Sequence, residues 1–146
     1  MRKREEFEII ENEIHTFKSR INTKYKQDVY VIIRNYIHLD AMYDCVLMTC
    51  NENDDHIYNE IKDKGASSRT TLVCNYIHSF YHIANKSGFP KLRIAKFMGK
   101  NHATIINGIK KAQNRLDLKD DEDFLYIYES IKHKIDTYVG FISKDT

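Results

Sequence analysis

The chain has 146 residues, of which 42% are hydrophobic and 30% charged, a balance typical of one globular domain with a core of its own. No apolar run is long enough to span a bilayer, and residues 1–4 lead into acids rather than into the apolar segment of a signal peptide. Three cysteines without a CxxC pair argue against a disulfide framework or a zinc ribbon and indicate reduced, structural thiols. We therefore expect a cytoplasmic protein that binds no membrane, metal or cofactor.

The net charge of +2 hides a segregation along the chain. Residues 64–116 contain ten basic residues and no acidic residue, which leaves 13 basic and all 21 acidic residues for the remainder. Exposed helices normally interleave both signs, so an acid-free stretch of this length is unusual. A basic middle between acidic flanks is typical of a surface that binds nucleic acid.

The hydrophobic periodicity predicts helices nearly throughout, beginning with an amphipathic helix at the start of the chain. Its apolar residues recur at alternating steps of three and four: Phe7, Ile10, Ile14, Phe17 and Ile21. This stripe either packs on its own domain, which we favour, or mediates self-association of the chain as a homodimer. A second helix is predicted over residues 24–39, and residues 41–50 favour a further helix over a short strand.

Two helices are predicted next. Asp54 or Asp55 is predicted to cap a short helix, and Ser67 or Ser68 to cap a longer helix over residues 70–85. A last helix begins after the acidic run LKDDED, where the helix dipole favours carboxylates. The residues predicted for its buried face are Phe124, Ile127, Tyr128, Ile131 and Ile135.

Between the breaker KSGFPK and that acidic run, two helices are predicted, over residues 91–98 and 102–116, with a tight turn at Gly99. Apolar residues supply a seam between them: Leu92, Ala95, Met98, Ile105, Ile106 and Ile109. Two helices that share a seam across a short turn indicate a helix-turn-helix, whose second helix enters the major groove of DNA.

The candidate DNA contacts are of two kinds. The start of the second helix carries residues suited to reading base edges: Lys100, Asn101, His102, Ala103 and Thr104. Basic residues around the helix pair are predicted to bind phosphates: Arg69, Lys91, Arg93, Lys96, Lys110 and Lys111.

The stretch IAKFMGKNHATIINGIKK resembles the C-terminal DNA-binding domain (domain IV) of the bacterial chromosomal replication initiator DnaA. The positions that match the family signature are Ile94, Met98, Gly99, Lys100, Asn101, His102, Ala103, Thr104, Ile105 and Lys111. The resemblance covers about residues 67–135 and implies an all-α bundle with a helix-turn-helix of the Trp-repressor type. It also implies that residues 101–104 face the bases.

The chain departs from that family at informative positions. Asn101 stands where the family has Asp, and an amide that both donates and accepts suits adenine, whereas a carboxylate suits cytosine. Ala103 replaces a Thr but keeps a methyl group that can touch a thymine methyl. The family's Arg-Pro-Arg has no counterpart, so we do not expect the initiator's own DNA box to be the target. The chain has no GxxxxGK[ST] motif, so no ATPase activity is expected.

Other chemistry has weaker support in the sequence. His78 and His82 are spaced i, i+4 and could share a metal ion, but no third ligand lies at a telling distance. No nucleophile with a partnered base is visible, so we do not expect an enzyme.

These observations predict an all-α, multi-helix bundle that contains a Trp-repressor or DnaA-type helix-turn-helix. Residues 1–65 are predicted to form an N-terminal helical region of unknown role, and residues 66–146 the helix-turn-helix domain. The predicted function is sequence-preferring binding of double-stranded DNA in replication control, in transcriptional regulation or in service to a phage or mobile element. The alternative is a protein-interaction module that uses the same fold to bind a replication or regulatory partner.

Overall fold

The computed structural model describes residues 3–31, 38–64 and 70–139, and these residues form helices without any strand, which confirms the all-α prediction. A 3-10 turn at Asp55–Ile57 is the one other helical element in this part of the chain. The α-helices are α1 (Lys3–Tyr25), α2 (Leu39–Asn53), α3 (Tyr58–Lys62), α4 (Thr71–Lys86), α5 (Lys91–Met98), α6 (His102–Leu118) and α7 (Glu122–Tyr138). None of them combines the length and the apolar character that a membrane span requires.

Polar residues cap the starts of four of the helices, and His38 caps α2 by accepting a hydrogen bond from the Ala41 N–H at 3.3 Å. Thr70 caps α4, Asn101 caps α6 and Asp121 caps α7, each by accepting a hydrogen bond from the backbone N–H three residues further on. Such a cap satisfies an N–H group that the first helical turn leaves without an intrahelical partner. The prediction that Ser67 or Ser68 caps α4 is therefore wrong, and both serines lie outside the described residues.

The helix predicted over residues 24–39 is also wrong as far as the chain is described. The first helix continues to Tyr25 and closes at Lys26, whose φ of 57° is left-handed, and residues 27–31 are irregular. Residues 32–37 lie outside the described ranges. A tertiary hydrogen bond competes with helix formation here. The Val31 N–H donates to the Asp44 carboxylate at 3.3 Å instead of to a carbonyl within a helix.

The predicted cap at Asp54 or Asp55 is not formed. Asp54 makes no side-chain capping bond, and its carboxylate instead accepts a hydrogen bond from the hydroxyl of Tyr76 at 2.6 Å. The α3 helix starts after Ile57, which has no side-chain cap either. Asp54 thus joins the end of α2 to α4, a contact between residues far apart in the chain.

The fourth helix lies at the centre of the bundle, against α2, α5, α6 and α7. Its residues Tyr76, Phe80 and Ala84 are fully buried. All five residues predicted for the inner face of α7 are buried as well, which confirms that prediction. Burial of these apolar side chains stabilises the fold, because it contributes roughly 25 cal/mol per Å² of apolar surface removed from water.

The second helix belongs to the same core, since it packs on both α4 and α7. Cys45 and Cys50 are buried within it, Cys74 of α4 is partly buried, and all three thiols are free, as predicted. The domain division predicted between residues 65 and 66 falls outside the described ranges and stays a prediction. In the described part of the chain, α2 shares one core with helices that lie after residue 66, namely α4 and α7.

The sixth helix approaches α4 closely at Gly108. A Cβ atom at this position would lie 2.5 Å from Tyr81 Cδ2 and 3.0 Å from His78 Cδ2. Tyr81 is only 2% exposed and its ring is held by the core, so a side chain at Gly108 would push α6 away. The glycine therefore sets how closely α6 sits on the bundle.

The first helix is attached by charged pairs. Lys18 Nζ lies 2.8 Å from Asp44 Oδ2 and 3.1 Å from Asp40 Oδ2, which ties α1 to α2. Arg93 Nη2 lies 2.7 Å from Glu11 Oε1, which ties α1 to α5. Three different helices are thus joined across separations of more than twenty residues.

Part of the apolar stripe of α1 also packs on the protein. Ile14 is buried, Ile10 and Ile21 are half-buried, and Phe17 is 44% exposed. The side chain of Phe7 lies outside the described residues. Packing on its own domain is the interpretation that this burial favours, and self-association through α1 stays a prediction.

Candidate nucleic-acid interface

The α5 and α6 helices are joined by a turn of three residues that Gly99 makes possible. Gly99 is left-handed, with φ of 67°, a conformation that glycine adopts without steric penalty. Its N–H donates to the Lys96 carbonyl, and the Lys100 N–H donates to the Ala95 carbonyl at 3.0 Å, which closes the end of α5. The turn leaves α6 to start at once, with Asn101 as its cap.

The seam between the two helices is narrower than predicted. Ala95, Met98 and Ile105 are buried, and Ile106 and Ile109 are half-buried. The remaining predicted member, Leu92, is 67% exposed, so its assignment to the seam is wrong. The buried side of α5 is formed by Ile94, Ala95 and Met98, and Leu92 lies off that side of the helix.

The first turn of α6 is exposed but partly occupied by its own cap. Asn101 Oδ1 accepts hydrogen bonds from the Thr104 N–H at 2.8 Å and from the Thr104 hydroxyl at 3.0 Å. His102 and Ala103 are exposed between them. Two of the predicted base readers therefore bond to each other, while His102 and Ala103 face solvent.

The predicted phosphate-binding residues divide into three groups. Lys91, Lys96, Lys110 and Lys111 are exposed, Arg93 is half-buried in its ion pair with α1, and Arg69 lies outside the described residues. Lys100, the remaining basic candidate, is half-buried. The exposed lysines thus lie on both helices of the pair.

Three basic residues of the acid-free stretch are used within the molecule. Lys64 Nζ lies 3.7 Å above the ring centroid of Phe97, and burial lowers the pKa of Lys64. Arg93 pairs with Glu11 at 2.7 Å, and Arg115 donates to a side-chain amide of α4. These three cations make contacts within the protein, so fewer basic side chains are exposed than the sequence indicates.

Two clefts flank the helix pair. The first, of about 370 Å³, is named here the α3–α6 cleft, and its polar lining is contributed by Glu60, Asp63, Lys64, His78, Lys100, Thr104, Asn107 and Lys111. The second, of about 720 Å³, is named the α1–α5 cleft and is lined by Glu8, Glu11, Asn12, Pro90, Leu92, Arg93, Lys96 and Phe97. Both clefts mix cations with acids contributed by neighbouring helices, because the acid-free stretch folds against acidic segments.

The interior of the α3–α6 cleft disfavours a further positive charge. Burial, together with the nearby Lys111 and Arg115, lowers the pKa of His78 to about 4. The ring is therefore neutral at pH 7, and its buried Nδ1 has no hydrogen-bond partner among the described residues.

His82 does not share a ligand with His78. Its Nε2 lies 2.7 Å from Gln113 Oε1 and its Nδ1 lies 2.8 Å from the Tyr128 hydroxyl. Because an amide oxygen only accepts, Nε2 carries the proton and Tyr128 donates to Nδ1. Both ring nitrogens are thus used to join α4 to α6 and α7.

Two exposed asparagines of α6 are not among the DNA contacts predicted from the sequence. Asn107 and Asn114 are exposed and share the outer face of the helix with Ala103 and Lys110. The signal that could have found them is the spacing of four, three and four residues from Ala103, which is the repeat of one helix face.

Comparison with known proteins finds no matching family model, no matching curated protein and no matching solved structure. The described residues form an all-α bundle in which α5 and α6 make a helix pair and the first turn of α6 is exposed. The resemblance to the DnaA domain stays a prediction from the residues that carry it.

Proposed function

We propose that this protein binds double-stranded DNA with sequence preference through a DnaA-type helix-turn-helix formed by α5 and α6, and that it does so without ATPase activity. The observation that carries the proposal is the exposed first turn of α6, set in a stretch of sequence that contains no acid. Helix N-termini and nearby lysines attract phosphates, and short side chains at such a turn can reach base edges. The roles that we propose for this activity are replication control or transcriptional regulation, in the service of a cell, a phage or a mobile element.

In this arrangement α6 lies in the major groove and α5 crosses the DNA backbone. Lys91 and Lys96 on α5, with Lys110 and Lys111 on α6, contact phosphates and set the register. These four side chains are exposed, which supports the assignment. The ion pair with Glu11 makes Arg93 a weaker candidate, since a phosphate would have to displace a carboxylate held at 2.7 Å.

Base reading at the start of α6 falls mainly to His102 and Ala103. Both are exposed, and the imidazole can donate to or accept from a base edge. Lys100 lies beside them at the edge of the α3–α6 cleft. Asn101 and Thr104 contribute chiefly by holding the turn in shape through their mutual hydrogen bonds.

The test is a mobility-shift titration on random duplex DNA at low salt, followed by selection of bound duplexes from a random pool. We expect binding at roughly micromolar protein that weakens steeply with salt, because phosphate contacts release counterions. His102→Ala should reduce the preference for the selected site by about 1–3 kcal/mol. The matched control is His133→Ala, an exposed histidine on α7. Equal loss in both variants, or no shift for the wild type, would count against the proposal.

A second candidate is binding of a protein partner, for which the α1–α5 cleft is the supporting observation. Leu92 is 67% exposed at its rim, beside Pro90 and Phe97, and exposed apolar residues around a cleft are typical of protein contacts. Absence of any DNA shift together with retained folding would favour this candidate.

A further inference from the structure

We propose that Asn107 reads an adenine in the major groove, at the centre of the base pairs that α6 covers. The proposal rests on the proposed function, since it requires α6 to lie on DNA. It assigns the base-reading amide of this helix to a residue one turn inside it rather than to its cap.

The first step is the position of Asn107 on the helix. Ala103, Asn107 and Lys110 are all exposed and lie opposite the buried side of α6, which packs on α4 and α5. A helix in the major groove presents one such face, with residues spaced by three and four, to the base edges. Asn107 is the central member of this face.

The second step is that the other candidate amide, the side chain of Asn101, is already hydrogen-bonded. Asn101 Oδ1 accepts two hydrogen bonds at the start of α6, from the N–H and the hydroxyl of Thr104. Bidentate recognition of adenine needs both the oxygen and the NH₂ of a carboxamide, so Asn101 would have to give up its cap. Among the described residues, no hydrogen bond engages the side chain of Asn107.

The third step is the span of the face. Ala103 and Lys110 are separated by about 10 Å along the helix axis, from a rise of about 1.5 Å per residue. This face is long enough to reach the edges of neighbouring base pairs and a flanking phosphate at the same time. Ala103 offers a methyl group for a thymine at one end and Lys110 a cation for a phosphate at the other, with Asn107 between them.

Asn107 is one of the residues that line the α3–α6 cleft. This cleft carries cations as well as acids, because Lys64, Lys100 and Lys111 lie there beside Glu60 and Asp63. Lys111 is exposed, so the phosphates of a duplex that lies on this face of α6 can be bound next to Asn107.

The experiment selects bound duplexes from a random pool with the full chain in four forms: wild type, Asn107→Ala, Asn107→Asp and Asn51→Ala. Asn51 is an exposed asparagine on α2 and serves as the matched control. The wild type and Asn51→Ala should enrich the same adenine. Asn107→Ala should lose that adenine alone and bind the selected site about 5- to 100-fold more weakly.

The aspartate variant supplies a readout that a merely structural role cannot produce. A carboxylate only accepts, so Asn107→Asp should shift the preferred base at that position from adenine to cytosine. Thermal melting by circular dichroism checks that each variant is folded. Enrichment of the same base by wild type, Asn107→Ala and Asn107→Asp overturns the inference while leaving the proposed function intact. Failure of the wild type to enrich any duplex overturns both.

Discussion

The α4 and α1 helices are both amphipathic, but different forces hold them in place. Tyr76 and Phe80 of α4 are fully buried among neighbouring helices, whereas Ile9 and Phe17 of α1 are 47% and 44% exposed. The first helix is held chiefly by ion pairs such as that of Lys18 with two aspartates. Apolar burial is non-directional and scales with area, while an ion pair depends on one partner and on pH. The bundle that carries α6 should therefore tolerate changes in α1 better than changes in α4.

The largest effect is expected from truncating the core of α4. Phe80→Ala removes a fully buried ring that packs on Tyr43 and Phe97, and it should lower the free energy of unfolding by about 3–5 kcal/mol. Phe17→Ala on α1 removes a half-exposed ring and should cost under about 1 kcal/mol. Urea unfolding followed by circular dichroism measures both. Equal losses would show that α1 is as much a part of the core as α4.

An intermediate effect is expected from removing the charge that joins α1 to α2. Lys18→Met leaves the buried Asp44 carboxylate without its cation and should cost about 2 kcal/mol at pH 8. This is less than for a fully buried pair, because Lys18 is partly exposed. The matched control, Lys62→Met, breaks an exposed pair with Asp28 and should cost under about 1 kcal/mol.

The same variant has a signed pH dependence. Burial raises the pKa of Asp44 in the folded protein, and Lys18 opposes that rise. Without Lys18 the folded-state pKa rises further above the value of 3.8 in the unfolded chain, so the folded state holds the proton more tightly. The pKa of Asp44 in the wild type is about 7, so both folded proteins hold this proton from pH 4 to near pH 7 and the deficit of Lys18→Met should be nearly constant there. The deficit should grow above pH 7, where the carboxyl group ionises in the wild type but stays protonated in the variant. A deficit that does not grow above pH 7 would show that the ionised Asp44 does not depend on its cation.

The smallest effect is expected from protonation of a histidine in α4. Burial first, and then Lys111 and Arg115, lower the pKa of His78 to about 4, against 6.5 in the unfolded chain. The unfolded state therefore binds more protons between these values, and stability should fall by roughly 1 kcal/mol as pH drops from 6.5 to 4, after allowance for partial exposure. Replacement by glutamine, His78→Gln, should flatten this slope.

The control for that slope is the exposed histidine of α1, His15→Gln, which should leave the pH dependence of unfolding unchanged. Chemical denaturation at several pH values measures all three proteins. The same slope in wild type and His78→Gln would assign the acid sensitivity to other groups, such as His82, whose pKa burial also lowers.

Much of the helix pair was predictable, because its signals are local. The bounds of α5 match the predicted residues 91–98, and α6 starts at the predicted His102. A proline before α5 and a left-handed Gly99 after it mark those limits within a few residues of chain. The buried face of α7 was predictable for the same reason, since a period of 3.6 residues reveals the inner side of a helix.

The partners of individual side chains were not predictable, because they come from distant parts of the chain. The sequence assigns Arg93 to phosphate, whereas in the fold its guanidinium pairs with Glu11, 82 residues away. The sequence assigns Leu92 to the helix seam, whereas its side chain is exposed. Asn101 matches a base reader by its place in the sequence, and only the structure shows that its side-chain oxygen caps α6.

The sequence by itself determined that the chain is helical, where most helices lie and that its middle carries cations without acids, since periodicity, helix breakers and charge are properties of neighbouring residues. Only the tertiary structure decided which cations stay exposed, how closely α6 rests on α4 at Gly108 and which face of α6 is presented outwards. Those features depend on contacts between helices, and such contacts are set by packing across the whole bundle.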